Sequence, residues 1–163
     1  RSAGTLRPSW LTSSPRLDRW MAQWLVGMPA ETHLSILAMI LGGAFDRLPT
    51  SLRIAFAHGG GSLALWLGRA DNAWRQRADV VRGSSHAPPS TYVDRFSVDS
   101  VVFDVRALRL LIDTMGVEGV MMGSDYPYPL GERPAGAVVR AADLPDAHRT
   151  EVLGANALRF LAL

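Results

Sequence analysis

The stretch that decides the fold is Arg53-Ile54-Ala55-Phe56-Ala57-His58-Gly59-Gly60-Gly61. Its apolar residues between two turn-prone ends read as a short buried strand over Arg53 to His58, and the three glycines end it. The next residues, 62–77, place Leu63, Trp66, Leu67, Ala70 and Trp74 on one stripe of a helix. The same order recurs downstream. Phe96 to Phe103 reads as a strand, and Asp104 can cap a helix through about Met115, with Gly116 as its stop. Val117 to Gly123 reads as a third buried strand, and a last helix runs from Pro145-Asp146 to about Leu161. Strand, loop and helix repeated three times predict parallel strands joined by right-handed crossovers with helices outside them. The fold class is therefore α/β. In such folds ligands bind at the carboxyl ends of the strands.

Upstream, Glu31 to Leu48 reads as one helix ended by Pro49. It carries apolar residues on nearly every side, so it is expected to be buried between the sheet and another element or subunit. Residues 1–23 hold Pro8, Pro15 and a Thr-Ser-Ser run and read as an irregular segment, with residues 24–163 as the ordered part. The region 78–94 is rich in glycine, serine and proline and reads as loop.

The 163 residues are 48% hydrophobic and 20% charged, which is ordinary globular composition. The longest apolar run, Leu34 to Leu41, is too short for a membrane span, which takes about 18 residues or more. No secretory leader is recognisable, so a cytoplasmic protein that contacts no membrane is expected. The chain opens on Arg1, so an upstream portion is expected. There is no cysteine, which excludes disulfides and thiolate metal sites. There is no lysine either, which excludes a Schiff-base or P-loop lysine. All 17 basic residues are arginine, and they are scattered rather than blocked. A basic nucleic-acid footprint is a cluster, so no nucleic-acid partner is expected.

Two residues stand at strand ends on one face of the expected sheet. His58 can act as a general base or metal ligand, or it can be a core histidine bonded to a carbonyl. Asp125 follows Val120-Met121-Met122-Gly123-Ser124. A carboxylate there is costly unless paired or bound to a cation, and it can equally serve as a cap. Arg69, on the helix after His58, suits a carboxylate ligand or a surface ion pair. Trp24, Trp66, Trp74, Tyr126 and Tyr128 can line a pocket or belong to the core. His33, His86 and His148 show no spacing that suggests a metal site.

The runs Trp24 to Thr32, Phe56-Ala57-His58-Gly59-Gly60-Gly61 and Gly68-Arg69 resemble the 2-amino-3-carboxymuconate-6-semialdehyde decarboxylases of the amidohydrolase superfamily. So do Gly123-Ser124-Asp125-Tyr126-Pro127-Tyr128-Pro129-Leu130-Gly131-Glu132 and Gly154-Ala155-Asn156-Ala157. The resemblance implies the C-terminal portion of a metal-dependent (β/α)8 TIM barrel, about strands six to eight, with its site at the strands' carboxyl ends. It implies Asp125 as a zinc ligand, and His58 as the group that deprotonates the zinc-bound water before hydroxide adds to the substrate and carbon dioxide leaves. It implies Arg69 as a contact to a substrate carboxylate across a homodimer, with Trp24 and Tyr128 lining the pocket. No organic cofactor is implied. The other Zn2+ ligands are expected upstream: Arg7-Pro8 stands where the family has a ligand histidine. Three readings follow. One is a zinc-dependent decarboxylase of a small carboxylic acid, with the 163-residue piece inactive and prone to self-association by itself. The others are a metal-dependent amide or lactone hydrolase of the same superfamily and a truncated non-catalytic remnant.

Overall fold

The computed structural model describes residues 15–163. Of the irregular segment expected over 1–23, residues 1–14, with the Arg7-Pro8 pair, lie outside the described residues. A 3₁₀ turn at Pro15–Leu17 and a wide π-type turn at Gln23–Gly27 lead into helix α1, Met28–Leu41. A short helix α2, Ala44–Arg47, follows it. The single helix expected over Glu31–Leu48 is therefore split. Gly43 breaks it, with φ at +68°, and a Cβ there would lie 2.7 Å from the Ser84 carbonyl oxygen. Only glycine combines that backbone with that close approach.

Strand β1 is Ala55–Phe56, followed by a tight turn at His58–Gly60 and helix α3, Leu63–Gln76. Residues 78–94 contain a short helix α4, Ala78–Val81, and part of a 3₁₀ segment, Pro89–Arg95. Strand β2 is Ser97–Asp99, followed by α5, Val105–Met115. Asp104 caps α5 as expected, accepting from the amides of Arg106 and Ala107 at 2.8 and 3.2 Å. A 3₁₀ turn at Val117–Gly119 precedes β3, Val120–Met121. Helices α6, Ala137–Ala141, and α7, Asp146–Thr150, come next. A second π-type turn, Glu151–Ala155, and α8, Asn156–Leu161, close the chain.

The three strands form one sheet in the order β1-β2-β3, and both pairings are parallel. Each strand is shorter than its apolar run. In β2 the reason is visible: the Asp99 side chain accepts from the Val101 amide at 3.0 Å and the Ser100 carbonyl accepts from the Val102 amide at 2.9 Å. These bonds turn the chain out of the sheet. The core lies between the sheet and its helices, with Val98, Val120, Ile36, Ile40, Leu63 and Leu108 fully or almost fully buried. Phe96 stacks on Phe45 at 5.6 Å and meets Phe56 edge-on at 5.4 Å.

Helix α1 is not buried all round. Ile36 and Ile40 have no exposure, whereas Leu34 is 58% exposed. Together with the preceding turn, Gln23–Leu41 makes a helical run long and apolar enough to cross a membrane by length and composition. Two of its residues also serve the fold. Ile36 and Ile40 enter the core, and Gly61 packs so tightly on its first turn that a Cβ would lie 2.1 Å from the Pro29 carbonyl oxygen.

Candidate active site

The carboxyl ends of β1 and β3 open on a cavity of about 350 Å3. His58, Asp125 and Trp24 all line it, together with Met28, Val102 and Leu130. The structure thus brings together the two strand-end residues that the sequence singles out. Both have left-handed backbones, with φ of +59° at His58 and +57° at Asp125. Such conformations are uncommon outside glycine and persist where surrounding contacts enforce them.

For His58 those contacts are identifiable. The Asp99 carboxylate, at the end of β2, accepts from the His58 amide at 3.1 Å and the Gly59 amide at 2.8 Å. The Val101 amide gives it a third bond. Burial pushes the Asp99 carboxyl above the ordinary carboxylate range, and the three amide donors and nearby His58 pull in the opposite direction. The imidazole is held separately: its Nδ1 lies 3.2 Å from Oγ1 of Thr32 on α1. Asp99 also faces β3, because a Cβ on Gly123 would lie 2.8 Å from the Asp99 Cβ. Asp99 therefore sits between the His58 turn and the segment leading to Asp125.

Asp99 and Thr32 are the residues that sequence reasoning missed. Asp99 falls in the middle of the strand expected over Phe96 to Phe103, so its position at a strand end is not legible; the available signal is a carboxylate within a largely apolar run. Thr32 carries none, since a threonine in the first turns of a helix is unremarked.

Two expected site residues lie elsewhere. Tyr128 is 60% exposed and does not line the cavity; Leu130 occupies that wall. The turn closed by the Tyr128 amide on the Asp125 carbonyl at 2.9 Å leaves the ring in solvent. Arg69 lines a different groove, of about 630 Å3, between α1 and α3 with His33, Leu37 and Trp66. Its guanidinium lies 5.9 Å from the Trp66 ring centroid. The other three histidines do not line the cavity of His58 and Asp125. His33 bonds Ser62 Oγ at 2.9 Å and its pKa is lowered by burial, while His86 and His148 are exposed.

Asp125 is a suitable oxygen donor for a divalent cation. Among the described residues, however, no three His, Asp or Glu side chains converge on one point. A catalytic zinc normally takes three protein ligands. The described residues therefore do not fit a tightly held metal by themselves.

The amidohydrolase family profile matches residues 10–163. The chain belongs to the amidohydrolase family. Within this family it is similar to a 2-amino-3-carboxymuconate-6-semialdehyde decarboxylase of Dictyostelium discoideum, at 40% identity over 97% of this chain and 44% of that protein. The enzyme of the same name from Caenorhabditis elegans is 39% identical over 90% of this chain and 36% of that protein. The chain thus spans less than half the length of the curated amidohydrolase relatives it matches. Among solved structures, it is similar to 5-carboxyvanillate decarboxylase from Sphingomonas paucimobilis, with a TM-score of 0.79 and 33% identity over 90% of this chain and 44% of that one. The 5-carboxyvanillate decarboxylase of Novosphingobium aromaticivorans, complexed with manganese and 4-hydroxy-3-methoxy-5-nitrobenzoic acid, gives a TM-score of 0.77 at 25% identity, covering 92% of this chain and 44% of that one.

Proposed function

We propose that this chain is part of a metal-dependent, non-oxidative decarboxylase acting on 2-amino-3-carboxymuconate 6-semialdehyde or a related unsaturated or aromatic carboxylic acid. The observation that carries the reading is the shared cavity of His58 and Asp125 at the carboxyl ends of parallel strands. The names of the similar proteins support the reaction class. In this reading residues 24–163 are the C-terminal part of a (β/α)8 barrel, and β1, β2 and β3 are its strands six, seven and eight. Asp125 is one ligand of a divalent ion, zinc or manganese, whose other ligands lie outside residues 15–163. No organic cofactor takes part.

The roles of the chain's own residues follow from their chemistry. His58 is the proton acceptor, the role an imidazole fills through its unprotonated ring nitrogen. Trp24 lines one wall of the pocket. Arg69, which faces away from this cavity, binds a substrate carboxylate in the cavity of a second subunit through its planar fork. Tyr128 reaches substrate only if its turn closes over the cavity.

The test is an assay of the complete gene product. Carbon dioxide release from 2-amino-3-carboxymuconate 6-semialdehyde, lost on chelation and in His58→Gln and Asp125→Asn, is the expected result. Hydrolysis of a lactone or amide panel without carbon dioxide release would overturn it in favour of a hydrolase. The 163-residue chain alone is expected to show no turnover, and one equivalent of bound metal with full turnover would refute that part.

A further inference from the structure

Thr32 stands one turn into α1, facing the His58 turn. Its Oγ1 makes two contacts, one to the Met28 carbonyl oxygen at 3.2 Å and one to His58 Nδ1 at 3.2 Å. A threonine hydroxyl has one proton to give and lone pairs to accept with, and a carbonyl oxygen can only accept. If the hydroxyl gave its proton to Nδ1, Oγ1 and the Met28 oxygen would face each other lone pair to lone pair. Both contacts are attractive together in one arrangement only. In it the hydroxyl donates to Met28, the ordinary back-bond of a helical threonine, and accepts from a proton on Nδ1.

We infer that Thr32 is a positioning residue that sets the tautomer of His58, placing the ring proton on Nδ1 and leaving Nε2 as the proton-accepting atom. The catalytic part of this inference rests on the proposed role of His58 as base; the tautomer itself does not. Two anchors then define the residue. Asp99 holds its main chain through the His58 and Gly59 amides, and Thr32 holds its ring. The bond made by one ring nitrogen decides what the other can do. A neutral imidazole with the opposite tautomer would present an N–H donor at Nε2 and could not take a proton there.

The experiment is ¹⁵N NMR of the complete gene product labelled at histidine, above the pKa of the ring, with His58→Gln to assign the signals. The wild type is expected to show a protonated Nδ1 and a bare Nε2 at His58. Thr32→Val, which keeps the shape and removes the hydroxyl, is expected to move the pair of shifts toward a mixture of tautomers, and Thr32→Ser to keep the wild-type pattern. In turnover, Thr32→Val is expected to lower kcat about 10- to 100-fold with KM unchanged, the usual scale for losing an orienting partner. Thr32→Ser should recover most of that loss, which a purely structural role for the methyl group would not predict. A wild-type Nε2–H tautomer overturns the inference even if the valine variant fails to fold. An unchanged tautomer in Thr32→Val also overturns it. An Nδ1–H pattern in a protein that releases no carbon dioxide upholds the tautomer assignment and removes the decarboxylase reading instead.

Discussion

Replacing Asp99 tests the architecture of the candidate site most directly. Its carboxylate accepts from three backbone amides, at 3.1 Å from His58, 2.8 Å from Gly59 and 3.0 Å from Val101. Oδ1 takes the Gly59 and Val101 bonds and Oδ2 takes the His58 bond. Asp99→Asn can therefore keep two bonds on its carbonyl oxygen, but it turns an NH2 toward the His58 amide. One donor then faces another, a loss of about 1–3 kcal/mol. Asp99→Ala strands all three donors. Their penalties do not add, because they share one acceptor and the adjoining cavity admits water, so about 2–4 kcal/mol is expected. The asparagine variant should also differ in its pH dependence. Burial raises the Asp99 pKa in the folded protein, so the folded state holds that proton more tightly than the unfolded chain. Its contribution is then greatest below the ordinary carboxylate range and declines as pH rises through the elevated folded value. Asp99→Asn removes that decline. The assays are denaturant unfolding and amide hydrogen exchange, with faster exchange confined to residues 58–61 and 101. An alanine variant within about 0.5 kcal/mol of wild type, the range of ordinary surface substitutions, would refute the reasoning. So would increased exchange spread evenly over the sheet.

Asp104 acts with the opposite sign. The Arg106 side chain, then the Arg106 and Ala107 amides, hold its carboxyl at about 2, so its contribution is full above the ordinary carboxylate range and lost as pH falls toward 2. Asp104→Ala should flatten that acid limb and speed exchange at the start of α5, as acid titration followed by circular dichroism and exchange would show. Asn156 is buried and donates to the Val117 and Val120 carbonyl oxygens at 2.8 and 2.7 Å, tying α8 to β3. Asn156→Leu should cost about 2–3 kcal/mol in unfolding free energy by stranding both acceptors. The 163-residue chain expressed alone should sediment as an oligomer or aggregate; a monodisperse monomer with a cooperative transition would contradict this.

The order of elements was legible because it rests on patterns that survive without tertiary context. Apolar runs ending in Gly59-Gly60-Gly61 and at Asp125, and a capping aspartate at 104, are local signals. Boundaries were less legible, because they depend on partners far away in sequence. The split after Leu41 follows from Gly43 meeting Ser84, and the end of β2 follows from where the Asp99 side chain turns. The burial of α1 is only partly legible for a related reason: Ile36 and Ile40 enter the core, while Leu34 is left open within this chain. Hydrophobicity on every side fixes which surfaces favour contact, but it does not say which neighbour supplies it. Of the candidate site, His58 and Asp125 are readable from position and Trp24 is placed by the resemblance, and the cavity gathers all three. Arg69 and Tyr128 were placed by resemblance, and neither reaches that cavity within this chain.

The residues missed by sequence reasoning explain how so little regular sheet can hold a defined site. The strands are two or three residues long, so ladder hydrogen bonds alone cannot fix the geometry of their ends. Side chains replace them. Asp99 gathers the amides beyond β1 and β2, Thr32 joins α1 to the His58 ring, and glycines at 61 and 123 allow the approaches that side chains would block. Strain at the left-handed His58 is then sustained by contacts that converge from several elements. Such a site depends on pairwise distances that no single stretch of sequence contains. A strand-end histidine can therefore be recognised from its neighbours in sequence, whereas the partner of its ring, a threonine 26 positions earlier, is legible only in the fold.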